Sequence, residues 1–239
     1  MKAINAHIEA FSICFRELGK GRFWLYLIPS VIIGIVFFLL FEMVSGIFSF
    51  LDYASDVPVL GSFVQGTQGF FSYIGDFIYQ FVILTLLSPV YCLLSESVDE
   101  KLTGQKFPFD LGRLILDFFR MILIVLLSTV LYFVALGLWW IISSILNLDL
   151  LDGAMNSIIS AFFFGFSFYD YSLERYQIGT GKSWGFAFRN LLHMILTGLI
   201  FTLSFKVPLI GVIIAPFFAT IISTIVFLKM HDKILSAHE

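Results

Sequence analysis

The sequence predicts an all-α integral membrane protein, built from long transmembrane helices behind an N-terminal interfacial amphipathic helix. Three observations lead there. Of the 239 residues, 59% are hydrophobic and 13% charged, with a mean hydropathy of +0.96, whereas a soluble domain carries roughly 25% charged and roughly 45–50% apolar residues. A water-soluble fold of this length could not hide so much apolar surface, so lipid must cover part of it. The apolar residues also fall into runs, several long enough to cross about 30 Å of hydrocarbon, which takes roughly 20 helical residues. Finally, Lys and Arg alternate between the segments that separate those runs.

Residues 1–22 read as the interfacial helix. Ile4, Ile8, Phe11, Phe15 and Leu18 recur at spacings of three and four and so share a face, while Lys2, Glu9, Arg16 and Glu17 fall largely elsewhere. Such a helix lies along the headgroup boundary rather than crossing it. Residues 23–239 read as a single helical membrane domain with apolar segments at about 23–51, 69–94, 114–146, 154–171, 190–205 and 207–228. Glu42 alone interrupts the first. The stretch 52–68 is polar and Gly-rich, with two Asp and no Lys or Arg. Segment 69–94 carries Asp76 near its start and Pro89 near its end. Turns follow at Thr103-Gly104-Gln105 and Phe107-Pro108-Phe109, and Asp110 is placed to cap the next helix. That helix should run unbroken to about Leu146, its early turns projecting from the bilayer. A short acidic loop, 147–153, precedes the fourth segment, and a Gly-rich turn, 178–182, follows it. The last two segments are separated by little more than Lys206 and Pro208. At about 24 Å as a helix, 190–205 is short for a full crossing, so a hairpin that penetrates partway is an alternative to two further spans.

The basic residues orient the chain. Of 14 Lys and Arg, four precede residue 23 (Lys2, Arg16, Lys20, Arg22), four lie in 95–120 (Lys101, Lys106, Arg113, Arg120), three in 172–189 (Arg175, Lys182, Arg189) and two after 228 (Lys229, Lys233). Segments 52–68 and 147–153 have none, and Lys206 alone breaks the alternation. Positive charge is retained in the cytoplasm on insertion, so both termini and both basic loops are expected there. Residues 1–22 carry charges throughout and lack the apolar core of a cleavable signal peptide.

Little in the sequence points to chemistry. Cys14 and Cys92 have no CxxC partner, and the four histidines lack metal-ligand spacing. Gly179-Thr-Gly-Lys182-Ser183 ends like a phosphate-binding loop, but Tyr176 stands where the first glycine is needed. No hydrolase signature occurs. The expectation is a protein that is not an enzyme and takes no cofactor, metal or nucleic acid. The 30 phenylalanines suit lipid contact and helix packing. Asp117 and Arg120, one turn apart, are expected to pair with each other. Glu42 and Lys206 are the pathway candidates, because an ionisable group within lipid is costly and marks function by default. Glu42 could equally sit near the outer interface, and Lys206 could snorkel. The sharpest local feature is Gly19-Lys20-Gly21-Arg22 before the first span. Two glycines let the backbone turn, a helix N-terminus follows, and two cations flank it, which together can hold an oxyanion. An ordinary positive-inside flank with headgroup contacts is the competing reading.

Three stretches carry a resemblance. Leu87-Ser-Pro89-Val-Tyr-Cys-Leu-Leu-Ser-Glu-Ser-Val-Asp-Glu-Lys101-Leu-Thr-Gly104 resembles the Ser-Pro end of the second span in CysZ-type sulfate permeases, continuing into an amphipathic helix and a glycine. Tyr169-Asp170-Tyr171, with Lys206-Val-Pro208 and Ala215-Pro216-Phe-Phe-Ala-Thr220 further on, looks like that family's terminal pattern. Gly19–Arg22 with Ile28-Pro29 stands where the family has its glycine–arginine oxyanion motif. The etoposide-induced membrane protein belongs to the same broad family. Ser172 replaces the proline usual after Asp-Tyr, and one arginine of the Gly-Leu-Arg-Arg pattern is kept, as Arg22, with Lys20 a substitute of poorer bidentate geometry. The resemblance therefore implies oxyanion binding more firmly than sulfate selectivity. It further implies partly inserted helical hairpins, a homo-oligomer in the bacterial inner membrane, and passive or gradient-coupled sulfate uptake feeding cysteine biosynthesis.

Overall fold

The computed structural model describes residues 2–36, 39, 58–207 and 210–231, with the backbone alone over 58–79. Glu42 lies outside the described residues, as does the side chain of Asp76. Every described element is helical: α1 (Lys2–Gly19), α2 (Trp24–Val36), α3 (Pro58–Thr103), α4 (Leu111–Leu146), α5 (Asp152–Arg175), α6 (Thr180–Arg189), α7 (Leu191–Phe205) and α8 (Gly211–Met230). The helix α3 begins at Pro58, within the stretch that composition alone reads as polar linker. Four helices are long and apolar enough to cross a membrane, and up to six spans result if α1 with α2, and α6 with α7, each count as one. Those two pairs bend by 92° and 91°. The 15 residues of α7 rise about 22 Å, so length leaves both a short crossing and a partial insertion available to it.

The N-terminal helix docks largely by its small and polar residues. Its buried residues are Ala3, His7, Ala10, Cys14, Glu17 and Leu18, while Ile4, Ile8 and Phe15 stay exposed. Small side chains let α1 approach α7 and α8; Ile4, Ile8 and Phe15 of the apolar stripe are left for lipid, whereas Leu18 of the same stripe is buried and Phe11 packs against the core. His7 fixes the docking, its Nδ1 bonded to the Ala3 carbonyl at 2.8 Å and its Nε2 to the Thr197 hydroxyl at 2.9 Å. Lys229, at the end of α8, pairs with Glu9.

Helix α4, 36 residues and about 54 Å long, starts as its sequence dictates. Asp110 caps it by accepting from the Gly112 N–H at 2.8 Å. Leu114, Asp117, Met121, Ile124, Ser128 and Tyr132 are buried along one face, and Leu116, Phe119, Leu123, Leu126 and Val130 are exposed along the other. In α3 the ring of Pro89 removes the N–H that would bond the Thr85 carbonyl. The neighbouring Ser88 hydroxyl donates to that carbonyl at 2.8 Å, so the Ser-Pro pair breaks the ladder and repairs it locally.

The closest packing joins α5 to α7. A Cβ on Gly165 would lie 1.8 Å from the Met194 carbonyl oxygen, and one on Gly198 would lie 1.7 Å from that of Ala161. The contact is reciprocal and backbone to backbone, the small-residue mode that membrane helices use for close approach.

At one end of the bundle a polar network crosses α3, α4, α5 and α8. Arg175, 1% exposed at its side chain, pairs with fully buried Asp99 at 2.8 Å. It also donates to the Ser95 hydroxyl at 2.8 Å, which meets Thr224 at 2.8 Å. The Tyr176 hydroxyl donates to the Asp99 carboxylate at 2.8 Å, the Thr103 hydroxyl shares its proton between the Asp99 carbonyl at 2.8 Å and carboxylate at 2.9 Å, and Phe107 covers the guanidinium at 5.2 Å. Arg113 pairs with Glu96. The expected Asp117–Arg120 pair does not form. Arg120 instead reaches Asp170 through Nε at 3.0 Å and a terminal nitrogen at 2.7 Å, and donates to the Ile178 carbonyl and Ser183 hydroxyl. A planar fork matched to a carboxylate, with two further acceptors, outcompetes a single contact one turn away. Asp117 lies 3.9 Å from Arg113.

Gly165→Ala and Gly198→Ala should each destabilise the fold by about 1–3 kcal/mol through overpacking. Gly137→Ala, with nothing within 4 Å of its Cβ position, should be neutral. Melting of the purified variants in detergent, followed by tryptophan fluorescence, measures both.

Candidate functional site

The corner between α1 and α2 is set by its backbone. Helix α1 stops at Gly19, and the Lys20 and Gly21 N–H groups bond back to the carbonyls of Glu17 and Leu18 at 3.2 and 2.9 Å. Gly21 then takes φ +77° and Phe23 φ +71°. The first suits glycine. The second is an unfavourable conformation for an aromatic residue, costing about 1–2 kcal/mol. The Trp24 indole N–H pins the turn by donating to the Leu18 carbonyl at 2.9 Å, and its ring stacks on Phe217 of α8. Two left-handed residues within three positions account for the right-angled bend.

The side chains of the corner surround Glu17. This carboxylate is 5% exposed; it receives Lys20 Nζ at 2.8 Å on one oxygen and Arg22 on the other, with Arg16 at 3.6 Å. Burial alone would raise its pKa, but the hydrogen bonds and charges of Lys20 and Arg22 outweigh that and hold it below the ordinary glutamate value. The cations remain accessible, with Lys20 and Arg22 42% and 35% exposed.

Arg22 opens onto a cavity of about 480 Å³ lined by Phe23, Ser97, Glu100, Lys101 and Lys106, with Gly104 at its edge. Of the four residues Gly19–Arg22, Arg22 alone lines this cavity, because Lys20 turns toward Glu17 and the glycines form the bend behind it. Lys206 caps α7 at the turn into α8 and is not part of the lining. Lys101 and Lys106 were legible in the sequence only as members of a basic loop. Nothing in the spacing between residues 22 and 101 announces that the fold joins them. Their segment is shaped by Glu100. The Gly104 N–H bonds the Glu100 carbonyl at 2.9 Å, Gly104 takes φ +74°, and the Phe107 N–H bonds the Glu100 carboxylate at 2.6 Å. Lys101 and Lys106 make no ion pair among the described residues.

Such a site can bind but has little to react with. Its lining is three cations, one carboxylate already bonded to backbone, a serine, a phenylalanine and a glycine, without an imidazole or thiol. Converging ammonium and guanidinium donors suit a polyoxygenated anion.

Comparison with known proteins adds one finding. The family model described as "Sulfate transporter CysZ/Etoposide-induced protein 2.4" matches residues 10–216. No curated protein matches the chain.

Because the Glu17 pKa is depressed in the folded state, its contribution to stability is complete above the unfolded pKa and is lost as pH falls through the folded value. Wild type should therefore melt above Glu17→Gln at neutral pH. The gap should close only in acid below the ordinary glutamate pKa, which paired melting curves across pH would record.

Proposed function

Since the chain belongs to the sulfate transporter CysZ/etoposide-induced protein 2.4 family, we propose that it is a membrane permease for sulfate or a related oxyanion. The single observation that carries this reading is Arg22. It is held at a right-angled corner by Glu17 and faces a cavity shared with Lys101 and Lys106. Gly19, Lys20 and Gly21 serve the site by forming the corner and completing its charge. Arg22 binds the anion directly. The reading extends to transport without a chemical step, a bacterial inner-membrane location with both termini cytoplasmic, a homo-oligomeric state, and supply of sulfate for cysteine biosynthesis. The contacts of Glu9 with Lys229 and of Phe107 with Arg175, with the lining that Arg22 shares with Lys101, support the orientation by linking the four basic segments. Lys206 stays a pathway candidate outside this lining, and Glu42, outside the described residues, stays one from the sequence alone.

A second reading, a non-transporting membrane scaffold of the same family, draws on one observation. Glu17 already partners both cations of the corner, which gives them a structural use without any ligand.

Proteoliposomes of the purified protein should take up radiolabelled sulfate saturably, and Arg22→Ala should abolish that uptake while leaving expression intact. Absence of uptake by correctly folded and oriented wild type would favour the scaffold.

A further inference from the structure

The permease reading places the anion at Arg22, yet the open recess that Arg22 lines is also lined by a segment some eighty residues further along the chain. We infer that the oxyanion is gripped between the two segments, with Lys101 at the end of α3 and Lys106 in the loop to α4 as its second and third cationic ligands. The inference rests on that reading and specifies the ligands and charge class of the same site.

Three features support it. The lining carries Arg22, Lys101 and Lys106 against Glu100, a net charge of +2 that complements a doubly charged anion. Each carboxylate near the site also holds a cation-bearing segment in place. Glu17, outside the lining, takes Arg22, and a terminal guanidinium contact to one carboxylate oxygen leaves further N–H donors for a ligand. Glu100 accepts the Phe107 N–H at 2.6 Å, which shapes the turn carrying Lys106. Lys101 and Lys106 themselves are exposed, line the same volume and form no ion pair among the described residues. An oxyanion of sulfate size carries oxygens on every side and so suits donors that come from two segments. A halide offers no such set of directed acceptors. A bound anion also clamps the α1–α2 corner to the α3–α4 loop.

The same chemistry could come from a free oxyanion or from the phosphate of a lipid headgroup, and the test separates them. Sulfate binding to the full-length protein is measured by calorimetric titration in nanodiscs of neutral phosphatidylcholine. The variants are Lys101→Gln, Lys106→Gln, both together, Arg22→Ala, and Lys182→Gln as an exposed lysine outside the cavity. Each single lysine change should raise the sulfate Kd about tenfold, the effect of losing one charged hydrogen bond, and the double change more. Lys182→Gln should match wild type. Wild-type affinity in the double variant, with binding lost in Arg22→Ala, would overturn the two-segment grip and leave the permease reading standing. An equal loss in Lys182→Gln would overturn the grip by showing a general surface field. A response only when phosphatidic acid is present in the disc would assign the site to lipid headgroups and overturn it as well. No sulfate binding by wild type in either lipid would overturn the permease reading itself. Unchanged elution and melting of the lysine variants keep loss of fold out of the comparison.

Discussion

The ion pair between Arg175 and Asp99 is the interaction on which the functional end of the molecule depends. Both groups are removed from solvent, and breaking such a pair by deleting one member typically costs about 3–5 kcal/mol because the other charge is left buried. The pair fixes the end of α5 against the last turns of α3. Its surroundings are committed to it: Ser95 bridges Arg175 to Thr224 of α8, and Phe107 lies over the guanidinium. Since Phe107 is also anchored by Glu100, the loop that presents Lys106 inherits its position from a buried charge pair. A rigid, dry node thus supports an accessible, charged surface.

The site itself follows a common pattern in which carboxylates orient cations. Glu17 and Glu100 occupy corresponding roles on the two segments, one bonding side chains and the other a backbone N–H. Exposed lysines and arginines otherwise sample many rotamers, and ordering them opposes binding. A guanidinium already held from behind loses less freedom when a ligand arrives. Backbone strain at Phe23 has the same logic, since it lies between Arg22, held by Glu17, and Trp24, held by the Leu18 carbonyl.

How much of this the sequence disclosed depends on the range of the interaction. The helical membrane fold, the cap at Asp110 and the turn at Gly104 were legible, because hydropathy, capping and glycine turns act over a few residues. The corner at Gly19–Arg22 was legible as a bend with cations, for the same reason. Its partners were not. Lys101 and Lys106 read as positive-inside charges, and Asp117 with Arg120 read as a local pair, whereas Arg120 uses Asp170 on another helix. Helical periodicity places a side chain on a face but is silent about what opposes that face. The docking face of α1 shows the limit well: the largest apolar stripe was the obvious candidate for burial in a soluble protein, yet lipid can take most of it, and the small residues pack inward.

The bond from Thr103 to Asp99 bears on the order of events during synthesis. Asp99 leaves the ribosome well before Arg175, and at roughly 5–20 residues per second it must wait several seconds for its buried partner. An aspartate without a partner for that time would favour water over its place in the packed bundle. The Thr103 hydroxyl, one turn away in the same helix and 2.9 Å from Asp99 Oδ1, travels with it and needs no later segment. It gives the carboxylate a companion available from the moment the turn forms, close to the helix end where water still reaches. Arg175 then arrives to a site that is already shaped, and the late helices assemble on an early half that has kept its charge in place.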